Sequence, residues 1–218
     1  MDLPPLTRET PAPGLVVWQP KRGYRFGVEV YALAAFALAG GPARTALDFG
    51  CGSGVVGLLL AWRGLSVRAV EREPRWVAVA RRNAAESGLP MTVQEADVRA
   101  WTGPPADVVV TNPPWFPAGE PVSPDPWRAV SRSMLHGDVA DFVAAGLRHA
   151  PRVCLVTRVE RERDVRGWIT RRARLGSDVV FLEVRAGEGE TVEETLDLPA
   201  IYASFGRPLA VSKPASPP

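Results

Sequence analysis

The sequence predicts an α/β fold: a mostly parallel sheet of seven strands, helices on both faces, and an antiparallel hairpin at its terminal end. Three observations carry this reading. Short β-type runs alternate with helical patterns through the middle of the chain. The run around Val108–Val110 is apolar at consecutive positions, as a strand covered on both faces is. The link holding Gly187 and Gly189, between the last two runs, is too short for a helical crossover, so those strands should pair antiparallel.

Taken in order, Thr45–Gly50 reads as a strand closed by glycine, and "VVGLLLAW" as a helix that begins after Ser53. Ser66–Glu71 is the second strand. Pro74 suits the first turn of the helix that follows, which ends near Gly88. Met91–Asp97 and Ala106–Asn112 are the third and fourth strands, and a helix around Val139–His149 leads to the fifth, Arg152–Thr157. Asp178–Val184 and Thr191–Leu198 complete the set as the hairpin. Residues 1–14 hold four prolines and residues 207–218 repeat that composition, so both read as flexible tails around one domain over residues 15–206.

With 218 residues, 46% of them hydrophobic and 23% charged, the chain is long enough to bury one real core. No run approaches the ~20 apolar residues of a membrane span, and "MDLPPLTRETPAPG" lacks the layout of a secretory signal, which suggests a soluble cytoplasmic protein. Cys51 and Cys154 stand in apolar, strand-like surroundings and read as small buried hydrophobes. His136 and His149 flank a helical pattern with no partner at metal-ligand spacing, so structural or surface roles are expected and no metal is implied. The net charge of +2 excludes a strong whole-molecule attraction to nucleic acid. Among the local basic clusters, the run from Arg158 to Arg174 is interleaved with Glu160, Glu162 and Asp164 and reads as a solvated helix face. Lys21, Arg22 and Arg25 have no acid among them in sequence, which suits either a solvated surface or phosphate contact.

"LDFGCGSGVVG" admits two ligands. Gly52-Ser53-Gly54-Val55-Val56-Gly57 fits the dinucleotide pattern, with Glu71 about twenty residues on. Gly50-x-Gly52-x-Gly54, preceded by Asp48, resembles the first motif of class I methyltransferases equally well. The physics overlaps, because glycines admit a ligand to the backbone and an acid ending the next strand accepts ribose hydroxyls. Asp48 separates the two. At the lip of this loop it would repel a pyrophosphate, whereas S-adenosyl-L-methionine has no phosphate and carries an ammonium and a sulfonium. The sheet is then Rossmann-like, with Asp48, Glu71, Asp97 and Asn112 all at the carboxyl ends of its strands, where ligands bind.

"VVVTNPPW" is the most informative stretch. Pro113 and Pro114 remove two backbone donors and fix two φ angles just where the strand ends. A rigid turn flanked by Asn112 and Trp115 suits the grip of something planar. Here the chain resembles the class I methyltransferases of amino nitrogens, which carry an Asn-Pro-Pro-aromatic motif at the end of the fourth strand. In that chemistry the Asn112 side-chain carbonyl and the Pro113 backbone carbonyl accept the two N–H bonds of a conjugated amine. This favours a pyramidal nitrogen whose lone pair points at the methyl group, and Pro114 helps to hold the acceptors ready. Trp115 offers a stacking face worth ~1–3 kcal/mol for a nucleobase. No base is needed first, because the proton leaves after the nitrogen becomes cationic.

"QPKRGYRFGVEVYALAAFAL" (Gln19–Leu38) and the stretch after the clamp extend the likeness to most of residues 16–185 and narrow it: the chain resembles the bacterial valine-tRNA adenine N6-methyltransferases. The resemblance implies that Asp48, Gly50, Gly52 and Gly54 line the methionine side of S-adenosyl-L-methionine. It also implies that Glu71 holds the ribose, that Asp97 holds the adenine amino group, and that Tyr24 and Phe26 pack near the transfer site. Lys21, Arg22, Arg25, Arg128 and Arg132 become candidate contacts to an RNA backbone, with tRNA as partner. Glu29 stands where the family has Asp, and the proline-rich loop Phe116–Arg132 lacks the family's usual carboxylate. A protein glutamine, whose carboxamide suits the same clamp, and a small-molecule amine are the alternative acceptors. A cofactor-binding protein with a decayed site is the non-enzyme alternative.

Overall fold

The computed structural model describes residues 3, 5–21, 25–114 and 138–207. It begins with a hairpin, β1 (Leu6–Ala12) and β2 (Leu15–Pro20), which forms a two-stranded antiparallel sheet of its own. Residues 6–12 are therefore a strand, where the proline content of residues 1–14 suggests a tail. Pro11 is tolerated because it falls in the irregular register between Glu9 and Ala12, on a strand with one neighbour. Ala12, Leu15 and Val17 are buried, which anchors the hairpin. At the other end Arg207, the first residue of the expected C-terminal tail, donates to the Tyr31 hydroxyl at 2.9 Å. Residues 208–218 lie outside the described residues.

The main body runs α1 (Val28–Ala39), β3 (Thr45–Phe49), α2 (Val55–Trp62), β4 (Ser66–Glu71), α3 (Pro74–Ser87), β5 (Met91–Glu95) and β6 (Val108–Thr111). After the undescribed segment come α4 (Val139–Leu147), β7 (Val153–Arg158), a 3₁₀ helix (Val159–Asp164), β8 (Trp168–Leu175), β9 (Val179–Arg185), β10 (Val192–Glu194) and α5 (Leu198–Ser204). The strands order as β10-β8-β9-β7-β6-β3-β4-β5. From β7 to β5 all neighbours are parallel, and β9 runs antiparallel to both β7 and β8.

Residue chemistry explains the layers. β6 is buried at every position because β3 and β7 flank it and both its faces are covered. Val108 and Val110 pack with α1 and α2 on one face, while Val109 packs with Phe142 and Ala145 of α4 on the other. Helices α1 and α2 are apolar on nearly every side, as buried helices are. Helix α3 is amphipathic, opens on Pro74 and ends at Gly88 in the left-handed conformation, as its sequence predicts. Among the described residues no helix is long and apolar enough to cross a membrane.

The carboxyl-terminal third departs from the expected layout. The sheet has eight strands, not seven, because the arginine-rich run taken for a helix face contains β8. Its charges are absorbed by acids on adjacent segments: Arg171 pairs with Glu183 and Glu194, and Arg172 pairs with Glu162 and Glu193. Cross-strand pairing of this kind gives a charged strand the composition of a solvated helix. The antiparallel hairpin is β8–β9, whereas the 191–198 run contributes only the short β10, which pairs parallel with β8.

Candidate active site

Strand β3 has β4 on one side and β6 on the other, so the chain reverses its winding direction between β3 and β6. Open α/β sheets hold ligands in the crevice beyond such a point. Phe49 and Thr111 are register partners at the ends of these two strands, so the glycine loop and Asn112 leave the sheet side by side. The Thr111 hydroxyl, fully buried, donates to the Phe49 carbonyl at 2.8 Å.

The loop after β3 is folded tightly against β4. The amides of Gly50 and Cys51 donate to the Val70 carbonyl at 2.8 and 3.3 Å, and Gly54 donates to the Cys51 carbonyl at 2.8 Å. Gly52 and Gly54 have φ of 54° and 81°, in the left-handed region that side chains disfavour. A Cβ at Gly54 would stand 2.7 Å from the Met91 Cε, whereas at Gly52 nothing lies within 4 Å. The loop is thus packed from behind at Gly54 and open at Gly52, as a cradle for a ligand must be.

Asp48 is not at the lip of this loop. Along β3 the side chains alternate, and Asp48 shares the face of Ala46, toward α2, with only 2% of its surface exposed. Its Oδ2 accepts the Gly57 amide at 2.8 Å in the first turn of α2. Burial pushes its carboxyl up to about 7, against the pull of the Gly57 amide and with a further push from Glu71. Its position therefore makes it a support behind the loop, and the charge argument against a pyrophosphate at the lip does not hold for this residue.

Glu71, at the end of β4, faces the loop. Its Oε2 accepts the Gly52 amide at 2.9 Å, and its Oε1 accepts the amides of Arg72 and Glu73 at 2.8 and 2.9 Å. Burial raises its carboxyl above the ordinary range, and these three amides oppose the rise. Asp97, just past β5, accepts from Arg99 through both oxygens, with Arg99 Nη2 at 2.6 Å and Arg72 Nη1 at 3.4 Å. The Arg99 hydrogen bond holds its carboxyl below the ordinary range. Two arginines therefore stand between Asp97 and the free acceptor role expected of it.

Asn112 and Pro114 are half-buried and Pro113 is buried at the carboxyl end of β6. Trp115, Arg128, Arg132, Arg22, Tyr24 and His136 lie outside the described residues. Lys21 is exposed. Arg25 is paired with Glu9 of β1 and donates to Thr7 Oγ1 at 2.7 Å, so an acid distant in sequence joins the basic cluster. Phe26 packs edge-on against Tyr31 of α1, with ring centroids 6.5 Å apart. Both cysteines are buried, which pushes the Cys154 thiol up to about 12. His149 packs on Trp101 at 4.7 Å between centroids, a structural position.

Thr111 and Asn83 contact the site's framework and escaped the sequence reading. Asn83 could have been found as the polar residue on the otherwise apolar buried stripe of α3 formed by Trp76, Val79 and Ala80. Thr111 leaves no such signal, because its β-branched shape fits a buried strand whatever its hydroxyl does.

A family model described as methyltransferase small domain matches residues 32–131. The tRNA1(Val) (adenine(37)-N6)-methyltransferase of Aeromonas hydrophila is 39% identical over 108 residues, covering 47% of this chain and 45% of that protein. The chain thus spans about half the length of that relative. The enzyme of the same name from Klebsiella pneumoniae is 30% identical over 179 residues, covering 74% of this chain and 71% of that protein. Among solved structures, the Pyrococcus abyssi tRNA (uracil-54, C5)-methyltransferase in complex with S-adenosyl-L-homocysteine superposes with a TM-score of 0.60. That superposition covers 82% of this chain and 44% of that one at 16% identity, a likeness of fold.

Proposed function

This chain belongs to the family of the bacterial tRNA1(Val) (adenine(37)-N6)-methyltransferases, and on that premise we propose that it methylates a conjugated amino nitrogen, adenine N6 of a structured RNA such as tRNA. The observation that supports this most directly is the register of β3 against β6, which brings the glycine loop and Asn112-Pro113-Pro114 to one crevice. The open Gly52 and the carboxylate of Glu71 beside it suit the adenosine side of S-adenosyl-L-methionine. When bound, that cofactor supplies an electrophilic methyl group.

In this reading residues 15–206 work as one methyltransferase domain, to which β1 adds a stabilising strand. Gly50, Gly52 and Gly54 let the backbone approach the cofactor, Asp48 braces the loop from behind, and Glu71 accepts the ribose hydroxyls. Asp97 meets the adenine end together with Arg99. Asn112 and Pro113 accept the two N–H bonds of the acceptor amine, Pro114 stiffens the turn and Trp115 stacks on the base. A loop nucleotide is the least costly to unstack into such a site. Tyr24 and Phe26 border the transfer site, while Lys21, Arg22, Arg25, Arg128 and Arg132 steady the RNA backbone. In this reading the RNA acceptor supports a cytoplasmic location.

The test is transfer of labelled methyl from S-adenosyl-L-methionine into an extract of cells lacking the gene, with RNA and protein counted separately. Label recovered from RNA as N6-methyladenosine is the expected result. Label in protein would move the acceptor to glutamine; label in neither, with cofactor bound, would leave a small-molecule amine or a decayed site. Asn112→Ala should abolish transfer and leave cofactor affinity intact, and transfer at the parental rate would overturn the clamp.

A further inference from the structure

Strand β2 touches both halves of the proposed site through two adjacent residues. The Trp18 backbone is held by the Asn83 carboxamide: its amide donates to Oδ1 at 2.8 Å and its carbonyl accepts from Nδ2 at 2.9 Å. The same Nδ2 donates to the Ser53 carbonyl at 2.8 Å, between Gly52 and Gly54 in the loop. Asn83 has no exposed surface, and both its Nδ2 donations and its oxygen are engaged within the protein. One residue further, Gln19 is 2% exposed and its Oε1 accepts the Phe26 amide at 3.2 Å. Phe26 leads into α1, and in the proposed function it borders the transfer site.

Hairpin docking alone does not require this arrangement. Trp18 is anchored separately, its Nε1 donating to Glu86 at 2.6 Å and its ring covered by Arg82 at 4.1 Å. The bond to Ser53 adds nothing to that anchorage. It fixes a carbonyl in a loop whose neighbouring glycines have the widest backbone freedom. We propose that Asn83 and Gln19 are positioning residues that make β2 a strut, setting the cofactor loop and Phe26 in one register. The proposal rests on the methyltransferase reading above.

Three measurements test it. Calorimetric titration with S-adenosyl-L-homocysteine should show Asn83→Ala binding at least tenfold more weakly than the parent, with cooperative unfolding retained. Gln19→Met should bind the same probe within twofold of the parent, yet lose at least tenfold in kcat/KM toward bulk tRNA from a strain lacking the gene. In the unaltered protein, S-adenosyl-L-homocysteine should slow amide exchange from Leu15 to Gln19. Unchanged affinity in Asn83→Ala, or exchange in β2 indifferent to the probe, would overturn the strut while leaving the methyltransferase reading in place. Should Asn83→Ala fail to fold, the exchange measurement decides. A parent protein that binds no S-adenosyl-L-homocysteine would overturn the methyltransferase reading itself, and the strut with it.

Discussion

The Thr111 hydroxyl donates to the Phe49 carbonyl at 2.8 Å, so the strand that delivers Asn112 is tied at its last residue to the strand that delivers the glycine loop. The proposed cofactor cradle and amine clamp are thereby referred to one seam of the sheet. The proposed methyl transfer needs its two reacting groups held in a near-attack geometry, and a rigid seam would meet that need without loop ordering at the reaction step.

Thr111→Val keeps the buried shape and removes only the hydroxyl. The expected cost is about 1 kcal/mol, the usual net worth of one such bond, read as a lower urea midpoint with an unchanged slope. The turnover number should fall several-fold while the KM for S-adenosyl-L-methionine stays within twofold. Parental turnover would show that the seam holds its alignment without this bond.

Asp48 predicts a pH signature. Its folded carboxyl sits at about 7, against about 4 in an unfolded chain. The folded state therefore binds the extra proton between those values, so this residue's contribution is most favourable below about 4 and declines as pH rises to about 7. The full penalty is on the order of 4 kcal/mol. Asp48→Asn keeps an oxygen for the Gly57 amide and cannot ionise. Its melting temperature should exceed the parent's by a margin that widens from pH 5 to pH 7.5; parallel curves would contradict the assignment.

Much of this arrangement was legible in the sequence, for identifiable reasons. Strands β6 and β7 are buried at nearly every position, and burial writes itself as consecutive apolar residues. The glycine loop and Asn112-Pro113-Pro114 were legible because their backbone demands restrict residue choice. Strand β8 was not, since its arginines find partners in Glu162, Glu183, Glu193 and Glu194, which only folding brings near. Asp48 was placed at the right strand end but on the wrong side of the loop. Its direction depends on the pleat of β3 relative to α2, which the motif itself does not record.

Glu71→Gln tests the proposed cradle from its adenosine side. Glu71 accepts three backbone amides through two oxygens, so an amide group in either orientation would turn a donor toward a donor. Affinity for S-adenosyl-L-homocysteine should fall at least tenfold. Asp97→Asn should weaken it less, because Asp97 is already committed to Arg99. Equal losses in the two variants would mean that the Arg99 pair opens when the ligand binds.

Glu183 predicts a pH response opposite to that of Asp48. It is fully buried and accepts from Arg171 at 2.9 Å, Arg185 at 2.9 Å and Arg152 at 3.4 Å. Those arginines also reach the carbonyls of Phe36, Ala37, Gly40 and Gly41 at the carboxyl end of α1. Burial by itself would raise the Glu183 carboxyl, but the hydrogen bonds from Arg185 and Arg171 hold it below its ordinary value. A depressed carboxyl stabilises the fold above the unfolded value of about 4.3 and loses that contribution as pH falls through the folded value. Glu183→Gln removes the buried counter-charge of Arg152 and should cost on the order of 3 kcal/mol at pH 7. Removing Arg185, which is partly exposed, should cost less than about 1 kcal/mol. Denaturant titrations at pH 7 and pH 4 give the check. The deficit of Glu183→Gln relative to the parent should shrink on acidification, while that of Thr111→Val, which involves no titrating group, should not change.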